Sequence, residues 1–291
     1  MNAPEYVSQS GSPLYPNILY NRPLTRNAGA TLLIVGGHSG EFSMPTAIHQ
    51  LATAAGIGQC KVILPDRLVS LLGGAPDTYF VPSSTSGSLG REALGRILEL
   101  EEDADGTAIG ASLSNNSNTT ILVEKLITSL TRPVIVFDEG LTALGRNSSV
   151  VTDNPDALLI LTMAEVFKLA GHLAIPIRIR TGGGLINKLE IIQDLTAASR
   201  CTYAIFGTEI ITASGSDITV TPINYRLSLL PAMFYGVLST FWLQNSQSRT
   251  RGLVTGAYVI SEAGQSLSEA SRPAVADMAK AVERVLAAHD N

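Results

Sequence analysis

The chain is short of cysteine, charge and aromatic residues. Of its 291 residues two are cysteine, 15% are charged and 5% are aromatic, with one tryptophan. Cys60 and Cys201 stand far apart, which argues against a disulfide framework or a thiolate metal site and points to a reducing, cytoplasmic setting. There is no block of basic residues and the net charge is -5, so no nucleic-acid footprint and no polybasic membrane patch are expected. The longest apolar run, Leu229 to Leu243, is broken by Pro231, Tyr235, Gly236, Ser239 and Thr240, so no membrane span is expected. The opening MNAPEYVSQSGSP has no basic region followed by an apolar one, and no signal peptide is expected. GxGxxG and Walker loops are both missing. The histidines, His38, His49, His172 and His289, show no metal-ligand spacing, so no metal site is expected.

What is present is hydrophobicity, 45% of the chain. That suffices for a large core, and the charge content below the usual value of about 25% suggests further burial in a homo-oligomer. Residues 1–27, rich in Pro, Asn and Ser, read as an arm, and residues 28–291 as a single domain. Continuous apolar runs at Leu32–Val35, Lys61–Leu64, Thr107–Ile109, Val134–Phe137, Leu158–Leu161 and Tyr203–Phe206 read as parallel strands covered on both faces. Helical spacing lies between them, starting after a cap at Ser43 and recurring at Leu122, Leu126 and Leu130 and at Leu185, Leu189 and Ile192. A hairpin follows, Ile210–Ala213 and Ile218–Thr221 around Ser-Gly-Ser, then helices near 231–243, 252–269 and 273–288. The alternation predicts a doubly wound α/β sheet in one domain.

Four stretches carry candidate chemistry. TLLIVGGHSGEFSMP places Gly36, Gly37, His38, Ser39 and Gly40 between a strand and a helix start, as a phosphate cradle, a nucleophile turn or a tight corner. Ser39 nearly sits in a Gly-x-Ser-x-Gly elbow, with Asp138 and His172 following in hydrolase order, but Glu41 stands where the last glycine belongs. VIVFDEG puts Asp138 and Glu139 directly after a strand, where an acid can hold a ligand hydroxyl or cap the short helix Gly140–Leu144. LTMAEVFKL likewise places Glu165 after a strand, as a ligand group or as an acid favoured by the helix dipole. RTGGG, residues 180–184, reads as an anion nest or a plain turn.

The order of these pieces resembles the NAD(P)H-hydrate dehydratase family of the ribokinase-like superfamily. LLIVGGHSG is similar to the family's first strand and Gly-Gly-Ser loop, and DGTAIGASLS to its Ala-x-x-x-Gly-Pro-Gly-Leu-Gly segment. PVIVFDEGLTAL resembles its Pro-hydrophobic-Asp-Ala-Asp-x-Leu segment, and LLILTMAEVFKLAG its strand ending in Thr-Pro-His. YAIFGTEIITASGSDITV is similar to its Lys-Gly strand and hairpin, and GAYVISEAGQSLSE to its Tyr-x-His-x-x-Ala-Gly helix. The resemblance spans about residues 28–270. It implies a three-layer α/β/α sandwich with a mostly parallel sheet. It also implies a carbon-oxygen lyase that uses ADP or ATP with Mg2+ to dehydrate hydrated NADH or NADPH. Gly36–Gly40, Asp138 and Glu165 would then hold the dinucleotide, and Gly110 and Gly207 the nucleotide.

The departures fall on phosphoryl transfer. With Gly236 aligned to the family's helix glycine, the Gly-x-Gly-Asp turn becomes Leu229, Leu230, Pro231 and Ala232, so Ala232 occupies the base position. The proline removes a backbone donor and the alanine cannot take a proton. Phe206 replaces the strand lysine, Thr162-Met163-Ala164 the Thr-Pro-His, and Ile260 the tail histidine. Three readings follow, in order: a weakly active or non-catalytic homologue of the dehydratase, a binding or assembly module on the same fold, and an α/β hydrolase using Ser39.

Overall fold

The computed structural model describes residues 4–23, 25–177, 184–223, 231–267 and 273–290. Ten strands form one sheet: β1 (Val7–Ser8), β2 (Thr31–Val35), β3 (Gln59–Pro65), β4 (Thr78–Val81), β5 (Gly106–Ile109), β6 (Val134–Phe137), β7 (Ala157–Thr162), β8 (Thr202–Phe206), β9 (Glu209–Ser214) and β10 (Asp217–Pro222). Their order is β1-β10-β9-β8-β7-β6-β5-β2-β3-β4, and every pairing is parallel except those of β9 with β8 and β10.

Side-chain alternation along the strands splits the core in two. Leu32, Ile34, Phe137 and Ile160 face one layer, while Leu33, Val35, Val136 and Leu159 face the other. The first layer holds α1 (Pro16–Tyr20), α2 (Ser43–Ala54), α10 (Pro231–Gln244), α11 (Arg249–Ser266) and α12 (Val275–Ala287). The second holds α4 (Leu94–Glu101), α5 (Ser117–Ser129), α6 (Glu139–Leu144), α7 (Ser149–Thr152), α8 (Met163–His172) and α9 (Gly184–Ala197). A single turn, α3 (Val69–Leu72), sits between β3 and β4. The α/β/α sandwich with a mostly parallel sheet is therefore as expected.

Helix α10 carries twelve buried residues in fourteen and has no polar stripe. A helix apolar all round is buried all round, and α10 is covered by α11, α2 and the sheet. This accounts for the long apolar run in the sequence; among the described residues no helix is long and apolar enough to cross a membrane.

Several details differ from the sequence expectation. Strands β1 and β4 and helix α4 were not anticipated. Ser43 is not the cap of α2: it is the first helical residue, the capping position is Phe42, and both the Ser43 N–H and Oγ donate to Glu41, at 2.7 and 2.6 Å. The last long helices start at Arg249 and Val275. The arm is tied to the body. Gln9 is buried and donates to Thr221 Oγ1 and the Val254 carbonyl, and Arg22 donates to the carbonyls of Leu19 and Leu286.

Candidate functional site

The chain leaves β2 toward β3 and β4 on one side, and returns through β5 on the other. In an open sheet this reversal opens a crevice at the carboxyl ends of the two strands. Close backbone approach builds its floor. A Cβ on Gly36 would lie 2.3 Å from the Ala111 carbonyl oxygen, one on Gly110 2.1 Å from that of Phe137, and one on Gly140 2.5 Å from that of Ile109. Glycine at these points lets β2, β5 and β6 converge.

The Gly36–Gly40 loop answers the question its sequence raised. Six successive backbone N–H groups, from Gly36 to Glu41, all donate within the protein. Their acceptors are the carbonyls of Ile63, Ala111, Glu41 and Gly87, His38 Nδ1 for Gly40, and the His38 carbonyl for Glu41. A phosphate cradle needs free N–H groups, and this loop has spent its own on a tight corner against residues 83–89. Ser39 lies exposed on that corner. His172 sits at the far end of α8, about 15 Å along the helix from the strand end, and Ser39 makes no hydrogen bond to a histidine among the described residues. Ser39, Asp138 and His172 are not brought together as a triad.

Asp138 and Glu139 sit at the junction of β6 and α6. Asp138 occupies the capping position, yet its side chain makes no cap bond, and its backbone is left-handed, with φ 51° and ψ -125°. The capping alternative weighed from sequence is therefore not realised. Burial first, and then Glu165, raises the Asp138 pKa. Burial, and then the Asp138 charge, pushes Glu139 up to about 7. One Glu139 oxygen, Oε2, is enclosed and has no hydrogen-bond partner among the described residues.

Glu165 is committed to its own helix. Its Oε2 accepts from the Thr162 N–H and Oγ1, both at 2.7 Å, and its N–H donates to Thr162 Oγ1 at 3.3 Å. This is a closed capping box. Glu165 adds negative charge beside Asp138 while staying tied to α8.

Across from the acids lies the first turn of α10. Ala232 is 1% exposed there. Tyr235, one turn further on, is 3% exposed, and its ring stacks on Phe137. Its hydroxyl makes no hydrogen bond among the described residues, and burial followed by Asp138, Glu165 and Glu139 pushes its pKa up, so it stays a neutral donor. Phe206, at the lysine position, stacks on Phe234 with centroids 4.3 Å apart and meets Tyr235 edge-on at 5.9 Å. Gly207 next to it has open space on its Cβ side among the described residues. Leu229, Leu230 and residues 180–183 lie outside the described residues.

Sequence reasoning missed Tyr235 and Lys188. Lys188, from α9, reaches the β8–β9 turn and pairs with Glu209 at 2.5 Å. A cation thus returns beside Gly207 from a distant helix, already neutralised. No local pattern marks either residue, since each is an ordinary helical position until the helix docks.

At the start of α10 Pro231 has no N–H to give and Ala232 is no base, and among the described residues no group of three acidic, histidine or cysteine side chains could hold a metal; residues 224–230, just before this helix, lie outside the described residues.

No family model matches the chain. Among solved structures, a ribokinase-like superfamily protein from Enterococcus faecalis aligns with a TM-score of 0.76 at 14% identity, covering 98% of this chain and 96% of that one. The ADP/ATP-dependent NAD(P)H-hydrate dehydratase of Bacillus subtilis, co-crystallised with ATP and Mg2+, aligns with a TM-score of 0.65 at 16% identity, covering 97% and 100%. The fold is therefore ribokinase-like. In sequence, the bifunctional NAD(P)H-hydrate repair enzyme of Moorella thermoacetica is 30% identical over 151 residues, 50% of this chain and 28% of that protein. That of Thermofilum pendens is 29% identical over 143 residues, 48% and 27%. Over about half of its length the chain is thus similar to NAD(P)H-hydrate repair enzymes, and the matched stretch spans little more than a quarter of these relatives' length.

Proposed function

We propose that this chain binds a hydrated nicotinamide dinucleotide, NADH or NADPH hydrate, at the crevice above β2, β5 and β6, and that it transfers phosphate weakly or not at all. Residues 28–291 act as one domain with residues 1–27 as its arm, in a cytoplasmic homo-oligomer. The observation that carries the reading is Ala232, buried at the position where the resemblance calls for a catalytic acid. Losing a general base costs about 100- to 10,000-fold in rate.

Two further features support it. The Phe206–Phe234 stack fills the ground on which a lysine would meet phosphate. Asp138 and Glu139 are half-buried at the strand ends, where carboxyl groups suit ligand hydroxyls and repel phosphates.

Calorimetric titration of the full chain with NADPH hydrate, ADP and ATP tests this. The expected result is heat with the hydrate and none with ADP or ATP. Nucleotide binding together with rapid ADP- or ATP-driven turnover of the hydrate would overturn it.

A further inference from the structure

Three acids gather at the ends of β6 and β7, and a phenol faces them that is 3% exposed and makes no hydrogen bond among the described residues. The enclosed Glu139 Oε2 has no hydrogen-bond partner among the described residues either; polar groups left unpaired in this way are costly, and a ligand beside the half-open carboxyl pair would complete them. Asp138 and Glu139 remain partly accessible. Glu165 is held in its capping box and contributes charge alone.

We propose that Asp138, Glu139 and Tyr235 form an acid–base site that removes water from a hydrated dihydropyridine ring without phosphorylating it. The inference rests on the hydrate-binding reading. Two carboxyl groups with raised pKa values and one proton between them can serve as acid and base in turn. In a hydrated enamine ring the hydroxyl sits on the carbon beside the ring nitrogen. The carboxyl pair gives its proton to that hydroxyl oxygen. The C–O bond breaks, its electrons leave with water, and the nitrogen lone pair forms a C=N bond. The pair, now ionised, takes a proton from the neighbouring carbon. The electrons of that C–H bond become the ring C=C bond, and the nitrogen recovers its lone pair. Water is the only product besides the reduced ring, and no co-reactant is consumed.

Roles follow from accessibility. Asp138 touches the ligand, Tyr235 donates to the hydroxyl oxygen, and Glu139, with its enclosed Oε2, is the positioning residue that stores the proton. The groups facing the pair are Glu165 from the start of α8 and Tyr235 from α10. Neither supplies a positive charge, so both favour keeping the proton.

The test incubates the full chain with NADPH hydrate and a chelator, without ADP or ATP, and follows the return of reduced-nicotinamide absorbance. A rate well above the buffer rate is expected, falling as pH rises through about 7, where Glu139 ionises. Asp138→Asn, which tolerates the left-handed backbone, should lose about 100-fold or more while hydrate binding by calorimetry persists. Glu139→Gln should remove the fall near pH 7 as well as lowering the rate. Hydrate that binds but disappears at the buffer rate, or variants as fast as the parent, would overturn the acid–base site and leave the binding reading intact. Absence of hydrate binding would overturn both.

Discussion

The Tyr235 ring lies flat on Phe137, centroids 4.0 Å apart and planes 8° from parallel. This contact docks α10 on the end of β6 and sets the phenol against Asp138, the residue after Phe137. The ring and its hydroxyl therefore separate cleanly by substitution. Tyr235→Phe keeps the stack and deletes a hydroxyl with no partner, so unfolding free energy should change by no more than about 0.5 kcal/mol. Tyr235→Ala empties the contact and should cost about 3–5 kcal/mol in urea unfolding. Hydrate affinity should fall in both.

Gly110 tests the convergence of the strands. Its φ is +155°, and a Cβ there would lie 2.1 Å from the Phe137 carbonyl oxygen. The neighbour is backbone, which cannot swing aside. Gly110→Ala should destabilise by about 3 kcal/mol, measured as a drop in the urea midpoint. Gly207→Ala, with open space around it, should cost far less.

These two sites also show what the sequence could carry. The six long apolar runs became strands because a doubly covered parallel strand needs no alternation. Strand β4, Thr78–Val81, escaped because it lies at the sheet edge, with three of its four residues only half buried. Asp138 was legible as an acid directly after an apolar run. Tyr235 was not, because its role comes from α10 lying across β6, about a hundred residues earlier in the chain. The spent N–H groups of Gly36–Glu41 were hidden for the same reason: their acceptors include Ile63, Gly87 and Ala111.

Glu139 makes stability depend on pH. Its folded pKa, about 7, lies above the ordinary value of 4.5. The folded state therefore holds the proton more tightly than the unfolded state. The stabilisation is full below about pH 4.5 and is lost as pH rises to about 7, and Asp138 acts in the same direction. The melting temperature should fall across that window in the parent. Glu139→Gln, which cannot ionise, should flatten the slope. A parent melting temperature that rises steadily from pH 4.5 to 7 would contradict the raised pKa.

Glu165 has a local duty that predicts a local effect. Thr162→Ala opens the capping box by leaving the Glu165 N–H without its acceptor, and Glu165→Ala does so by leaving the Thr162 N–H without its own. Each should cost about 1 kcal/mol. Combining them should cost little more than either alone, since both break one motif. Hydrogen exchange should speed up first at the amides of Met163 to Glu165. A large loss of hydrate affinity at unchanged stability in Glu165→Gln would instead give this residue a direct ligand contact.

Phe206 separates a blocked nucleotide site from one merely lacking a base. It holds two aromatic contacts, a parallel one with Phe234 and an edge one with Tyr235. Phe206→Ala should therefore cost about 2–3 kcal/mol in unfolding free energy. Removing the ring also clears space beside Gly207, whose surroundings are already open. If the ring is what excludes ADP, the variant should bind ADP measurably where the parent shows no heat, and Lys188, freed by Glu209→Gln, should strengthen that binding through its charge. Phosphoryl transfer should stay absent even then, because Ala232 supplies no base. ADP binding without turnover in the double variant would thus assign occlusion to Phe206 and catalytic loss to Ala232, whereas no binding in either variant would show that the loss of the glycine turn, with Pro231 in its place, already suffices to exclude the nucleotide.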